Sequence, residues 1–271
     1  MDCKDAAPPP FQPTTQLIDP TRIDLMAAVS ALPAIAASSL LTQHLYYDDT
    51  ELFSSVGRVI SQYAATKDGQ EVLVLDQTVM HPQGGGQPSD VGVISSPDGE
   101  TSFRVGHVQK PRGAGYIEHV GEYSSPGRFT VGDEVSVEID STRRMLHARL
   151  HSAGHLLDTA FVNIGVKDLI PEKGYHFPDG PYVEYVGNIP AEKRETTIQQ
   201  LNKEAQRLIE EAAGVVVTMN DKGERVVDVG GSECPCGGTH VKGVADIRGL
   251  TVTKIKKSKK NVRVSYVLSD N

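Results

Sequence analysis

At 271 residues, 38% of them hydrophobic and 23% charged, the chain can bury the core of one large or two small domains and lies outside the disordered compositions. No segment is apolar enough over a sufficient length to cross a bilayer, so a soluble protein is expected. A formal net charge of −8 excludes a general nucleic-acid coat, because phosphate binding needs concentrated lysine and arginine.

The first residues, "MDCKDAAPPP", lack the basic start and compact apolar run of a secretory signal, and their acidic side chains argue against a transit peptide. A cytoplasmic protein is expected. Residues 1–40 read as a Pro-rich tail with one docking helix in "LMAAVSALPAIAASSLL", which Pro33 interrupts. Of the three cysteines, Cys3 falls in this tail, while Cys234 and Cys236 stand one residue apart near histidine. That spacing suits metal or catalysis better than a disulfide framework.

From Tyr46 to Ile139 the runs "GRVISQYAAT", "QEVLVLDQTV", "TSFRVGHVQ", "AGYIEHV" and "DEVSVEID" are separated by Gly, Pro and Asp turn signals. They predict a small antiparallel β-barrel over 41–140. Within it, Gly84, Gly85 and Gly86 lack the helix start and lysine of a phosphate loop and read as a tight turn.

After Asp140 the period becomes helical. Leu146, Leu150, Ala153, Leu157, Ala160 and Ile164 mark one face of a first helix. Ile198, Leu201, Ala205, Leu208 and Ala212 mark a second, from about Ala191 to Ala213, with Gly214 as its stop. "GVVVTM", "ERVVDVG", "GLTVTKI" and "VRVSYVL" then supply one antiparallel sheet for these helices to cover. The whole reads as α+β, with a second domain over 141–271.

"HSAGH" places His151 and His155 one helical turn apart on one face, and His147 a turn earlier is a third candidate. Downstream, "CPCGGTH" offers Cys236 and His240. Four extended residues would span about 13 Å, so the loop must fold back for both to reach one ion, and Gly237 and Gly238 can take backbone angles closed to other residues. Three imidazoles and a thiolate suit Zn²⁺. Cys234 is placed outside the ligand set because Pro235 makes joint ligation awkward. Spacing leaves structural and catalytic zinc both open.

"HSAGH" followed by "CGGTH", with "MHPQGGGQPSDVGVI" (Met80 to Ile94) upstream, resembles the alanyl-tRNA synthetase editing domain and the freestanding AlaX proteins of medium length. The resemblance covers roughly residues 45 to 268. It implies a trans-editing hydrolase that deacylates mischarged tRNA, Ser-tRNA(Ala) foremost and also Gly-tRNA(Ala), with His151, His155, Cys236 and His240 as zinc ligands. A related ester such as Ser-tRNA(Thr), or a non-catalytic tRNA-binding module with structural zinc, are the alternatives. It also implies that Thr239 orients the loop or touches substrate, and that Gln87 and Asp90 pack the glycine-rich segment against the editing core. Glu172 and Lys173 in "LIPEKGYHF" stand near where the synthetase domain usually has glutamine, a departure at the residue that senses serine. For tRNA backbone, the candidates are Lys256, Lys257, Lys259 and Lys260 around a predicted hairpin turn, with Arg143 in "STRRMLHAR", where Arg143, Arg144 and Arg149 read as a local basic cluster. Oligomeric state stays open.

Overall fold

The structure, a computed structural model, describes residues 40–65 and 69–269. The tail, the docking helix and Cys3 lie outside the described residues. Two short strands, β1 (Gln43–His44) and β4 (Gln77–Thr78), pair in parallel. Six others close an antiparallel barrel in the order β2-β3-β7-β6-β5-β8. These are β2 (Ser54–Ala64), β3 (Glu71–Leu75), β5 (Gly92–Ser95), β6 (Ser102–Gln109), β7 (Glu118–Tyr123) and β8 (Glu134–Ile139). In β8, Val135, Val137 and Ile139 point inward while Glu134, Ser136 and Glu138 point outward, the period-two pattern of a half-buried strand. Val59, Leu75, Ile94, Phe103, Ile117 and Phe129 meet in the barrel core.

Five of the barrel strands overlap the five expected runs, although β7 begins only at Glu118. The sixth, β5, begins at the end of the stretch read as a glycine-rich segment. With four residues it is too short to show a period. It enters at Gly92, where a Cβ would stand 2.1 Å from the Glu138 carbonyl oxygen, so the barrel closes there only over a bare backbone.

The chain then enters α1 (Ser141–Asn163), capped by the Asp140 carboxylate, which accepts the Arg143 N–H at 2.9 Å. Its buried face is wider than the expected stripe. Leu156 and Phe161 are buried alongside Leu150, Ala153, Leu157 and Ala160, whereas Leu146 and Ile164 are only partly covered. The helix is packed on more than one side. The second helix, α2 (Arg194–Glu210), follows a 3-10 turn at Ala191–Lys193. It stops before the expected end because Ala212 takes a left-handed φ of 50° and is exposed, so Ala212 is not an inward residue and Gly214 is not the stop.

The expected single sheet is two. β14 (Leu250–Ser258) and β15 (Asn261–Leu268) continue into β10 (Tyr182–Val186) and β9 (Ile170–Tyr175), in the order β14-β15-β10-β9. A separate antiparallel sheet contains β11 (Val215–Met219), β12 (Arg225–Val229) and β13 (Glu233–Pro235). The side-chain amide of Asn202 on α2 bonds the Val252 N–H at 2.7 Å and its carbonyl at 3.1 Å, filling the gap where the β14 register shifts.

Ser38–Asn271 forms one compact unit, and a buried ion pair joins the barrel half to α1. Arg144 and Asp90 have side chains 0% and 1% exposed. The Arg144 Nε lies 3.1 Å from both carboxylate oxygens, Nη1 donates to the Thr50 carbonyl at 2.9 Å, and Nη2 donates to Val79 and Asp90. Asp90 also accepts the His81 N–H at 2.6 Å. Arg144 is therefore no part of a surface basic cluster. Replacing it with methionine strands a buried carboxylate, and Arg144→Met is expected to cost about 3–5 kcal/mol in urea unfolding. The double change with Asp90→Leu should cost clearly less than the sum of the singles; additive losses would show that the pair does not act as a unit.

Candidate metal centre

His151 and His155 project from α1 one turn apart, with ring centroids 5.1 Å apart. Cys236 and His240 come from the loop after β13. The structure brings one ligating atom from each of the four within 4.8 Å of the others, a group that could hold a metal ion. The Cys236 Sγ lies 3.5 Å from the His151 Nε2 and 3.3 Å from the His240 Nε2. The glycines act differently from expectation. Neither Gly237 nor Gly238 has a positive φ; instead a Cβ on Gly238 would stand 2.2 Å from the His151 ring, so the residue is needed for close approach.

Gln87, in the glycine-rich turn, sets the protonation of His151. The Thr239 N–H can only donate, and it lies 3.0 Å from the Gln87 Oε1, which identifies that atom as the carbonyl oxygen. The same oxygen is 2.8 Å from the His151 Nδ1, which must therefore carry a proton, leaving Nε2 free to ligate. The Gln87 Nε2 donates to the Thr239 hydroxyl at 2.8 Å. Across the site, the Ser152 hydroxyl lies 3.2 Å from the His240 Nδ1 and accepts the Val241 N–H at 3.1 Å. Arg225 donates to the carbonyls of Cys236 at 2.7 Å and Gly238 at 3.0 Å, which holds the loop folded back.

Burial pushes His155 down to about 4. Burial, and then the neighbouring histidines, holds His151 and His240 well below the usual imidazole range. All three imidazoles are neutral at physiological pH. Burial raises the Cys236 thiol, so thiolate forms there only when a cation repays it.

The group borders a cleft of about 260 Å³ whose wall includes His155, Asp158, Glu172, Lys173, Cys234 and His176. Glu172 and Lys173 are exposed on β9. The Asn261 amide donates to Glu172. Thr239 is fully buried, with its N–H and hydroxyl both engaged by Gln87. His147 is buried away from the group with its Nδ1 unpartnered. Lys256, Lys257, Lys259 and Lys260 are exposed at the β14–β15 turn, where Lys259 has a φ of 55°, and Arg143 is exposed on the first turn of α1.

Sequence reasoning missed three neighbours. Gln87 was read as packing and not as the partner of His151. His176 is 5% exposed and stacks on His151 with centroids 4.6 Å apart; burial pushes it down to about 3. Its only local signal is a glycine two residues before. Asp158 is raised to about 7 by burial, while the Tyr185 hydroxyl, donating to it at 2.7 Å, works in the opposite direction. It follows His155 by three positions, a spacing that the metal pattern does not use.

Fold and site together define an α+β protein in which a closed β-barrel is joined to a helix-and-sheet core carrying a three-histidine, one-cysteine group. Residues 22–143 match the family model described as tRNA synthetases class II (A), and residues 225–264 match the threonyl and alanyl tRNA synthetase second additional domain. The alanyl-tRNA editing protein AlaX-M of Pyrococcus horikoshii is 32% identical over 223 residues, 80% of this chain and 92% of that one. AlaX-M of Methanosarcina barkeri is 28% identical over 257 residues, 85% of this chain and all of its own. An alanine–tRNA ligase of Janthinobacterium is 32% identical over 199 residues, 67% of this chain and 22% of the ligase. The chain belongs to the AlaX-M family of alanyl-tRNA editing proteins.

Gln87→Ala frees the His151 ring and its tautomer without touching a ligating atom. Affinity for a divalent probe ion, Co²⁺, is expected to fall about 10- to 100-fold in chelator competition. An unchanged affinity would mean that α1 alone orients the ring.

Proposed function

We propose that this protein is a zinc-dependent trans-editing hydrolase that deacylates mischarged tRNA, Ser-tRNA(Ala) foremost and Gly-tRNA(Ala) as well, in the cytoplasm. One observation carries the reading: three of the four residues, His151, His155 and Cys236, line a cleft of about 260 Å³, room for a single aminoacyl ester, and His240 completes the group behind them. The relatives named for alanyl-tRNA editing support it.

The donor set fits zinc. Tetrahedral bonds of about 2.05 Å to nitrogen and 2.3 Å to sulfur separate the two donors by about 3.6 Å, close to the 3.5 and 3.3 Å found for Cys236 against His151 and His240. His151, His155, Cys236 and His240 would hold the ion, which when bound supplies a Lewis acid beside the ester carbonyl. Gln87, Ser152 and Arg225 orient these residues. Thr239 acts through Gln87 and shapes the loop. Glu172 and Lys173, on the cleft wall, are proposed to meet the aminoacyl group or the terminal ribose.

Asn261 immediately follows Lys260, and its bond to Glu172 ties the lysine-rich turn to the rim of the cleft. Lys256, Lys257, Lys259 and Lys260, with Arg143, are proposed to meet tRNA phosphates as the acceptor end enters. Neutralising the four lysines is expected to weaken tRNA binding and to lower the salt slope by roughly 0.7–0.9 for each lost contact. An unchanged slope returns the turn to ordinary surface.

A closed four-residue shell is also the pattern of structural zinc, which favours a second reading as a non-catalytic tRNA-binding module. Zinc content per chain and single-turnover hydrolysis of Ser-tRNA(Ala), Ser-tRNA(Thr), Gly-tRNA(Ala) and Ala-tRNA(Ala), measured on Cys236→Ala, separate the two. The expected result is loss of zinc and of deacylation. Loss of zinc with undiminished hydrolysis makes the metal structural, and full zinc with full activity refutes the ligand assignment.

Zinc affinity should also depend on pH in a defined way. The imidazoles are already neutral at pH 7, whereas the raised Cys236 thiol must lose its proton. Protons therefore compete at one group, and affinity is expected to rise about tenfold per pH unit between pH 6 and 8. A flat profile would show that the thiolate is not a ligand.

A further inference from the structure

His176 is the buried side chain on the cleft whose chemistry neither the metal group nor the fold consumes. Three glycines make its place. A Cβ on Gly154 would stand 2.4 Å from its Cε1, one on Gly174 2.3 Å from its Nε2, and one on Gly86 3.2 Å from its Cδ2. Helix α1, strand β9 and the glycine-rich turn are thus all reduced to bare backbone around one imidazole. The backbone N–H of His176 also donates to the Gly86 carbonyl at 2.8 Å, which ties the main chain that carries the ring to that turn.

Hydrogen bonding decides which nitrogen carries the proton. The Tyr266 hydroxyl has a single proton, which it donates to the Leu150 carbonyl at 2.9 Å. Toward His176, 2.7 Å away, it can therefore only accept, so Nδ1 is the protonated nitrogen. A second proton would place an unpaired charge on a ring 5% exposed. Nε2 is left as an acceptor on a ring that lines the cleft, and among the described residues the ring's hydrogen bond is made by Nδ1 and not by Nε2.

We propose that the His176 Nε2 accepts a hydrogen bond from the side-chain hydroxyl of the aminoacyl group, selecting a hydroxyl-bearing ester over an alanyl one. The proposal rests on the cleft being the aminoacyl-ester site proposed above. Its physical basis is asymmetry: a hydroxyl pairs with the waiting acceptor, while a methyl group desolvates it and offers nothing in return. An α-ammonium is common to every aminoacyl ester and gives no discrimination. Asp158, one turn beyond Gly154 on α1 and also on the cleft wall, supplies a carboxylate suited to that group.

The two amide replacements of histidine separate the nitrogens. In His176→Asn the amide nitrogen stands near Nδ1 and keeps the bond to Tyr266, but the cleft acceptor is lost. In His176→Gln the amide reaches the position of Nε2 and restores an acceptor. Single-turnover rates on Ser-tRNA(Ala), Gly-tRNA(Ala) and Ala-tRNA(Ala), with zinc content on the same samples, are the readouts. The expected result for His176→Asn is retained zinc, a seryl rate reduced roughly ten- to a hundredfold and an unchanged glycyl rate, with substantial recovery in His176→Gln. Equal loss on all three esters, or an unchanged seryl-to-glycyl ratio, overturns the proposal. If His176→Asn loses zinc, His176→Gln decides by its seryl-to-glycyl ratio, and loss of zinc from both assigns the ring to support of the metal group and overturns the proposal. A wild-type protein inactive on every ester instead fails the hydrolase reading on which the proposal rests.

Discussion

Everything at the site depends on how α1 is rotated against the segment 87–90, and two buried bonds fix that rotation. Arg144 grips Asp90 and His151 meets Gln87. The two helix positions are seven residues apart, about 10.5 Å along the axis and close to two full turns, so both side chains leave the same face. Three residues of extended chain, from Gln87 to Asp90, reach about 10 Å. The spans match, and the segment runs antiparallel to the helix between its two attachments. A helix turned by one residue, about 100°, would break both.

That matching explains why a metal group in one half of the chain is completed from the other. The Thr239 N–H orients the Gln87 amide, the amide orients the His151 tautomer, and the tautomer points a bare nitrogen at Cys236. Each link is a hydrogen bond whose direction has no alternative once the previous one is made. Gly238 belongs to the same chain of constraints, because any side chain there would displace the ring that Gln87 holds. Removing one of these groups disturbs the site from outside the four-residue group.

The legible features were those in which one short-range pattern determines the outcome. Alternation in "DEVSVEID" gave β8, and the four-residue spacing of His151 and His155 put two imidazoles on one helix face. The barrel followed by helices over antiparallel strands was likewise visible. What escaped depended on partners distant in sequence. β5 has four residues and exists only because β6 and β8 flank it. The split into two sheets leaves β14 and β15 paired onward with β10 and β9, and the β9 run "IPEKGY" carries charge and proline and has no strand period. Arg144 looked like part of a basic surface because its carboxylate lies 54 residues earlier. His176 carries no motif; its meaning comes from three glycines contributed by separate elements.

The sequence separations within the site also govern when it can assemble. Gln87 bonds across 64 residues to His151 and across 152 residues to Thr239, and Cys236 meets His151 across 85. Contacts of such range must overcome loop-closure entropy before any of them is rewarded. The barrel can close from residues before Asp140 alone, whereas the metal group cannot exist until the "CGGTH" loop has folded back onto α1. On the ribosome, where the N-terminal part of a chain emerges first, the barrel precedes the candidate metal centre by nearly a hundred residues of synthesis. Assembly of this group is thus a late event in the life of the chain, and an ion taken there would close folding where a zinc finger's ion would open it.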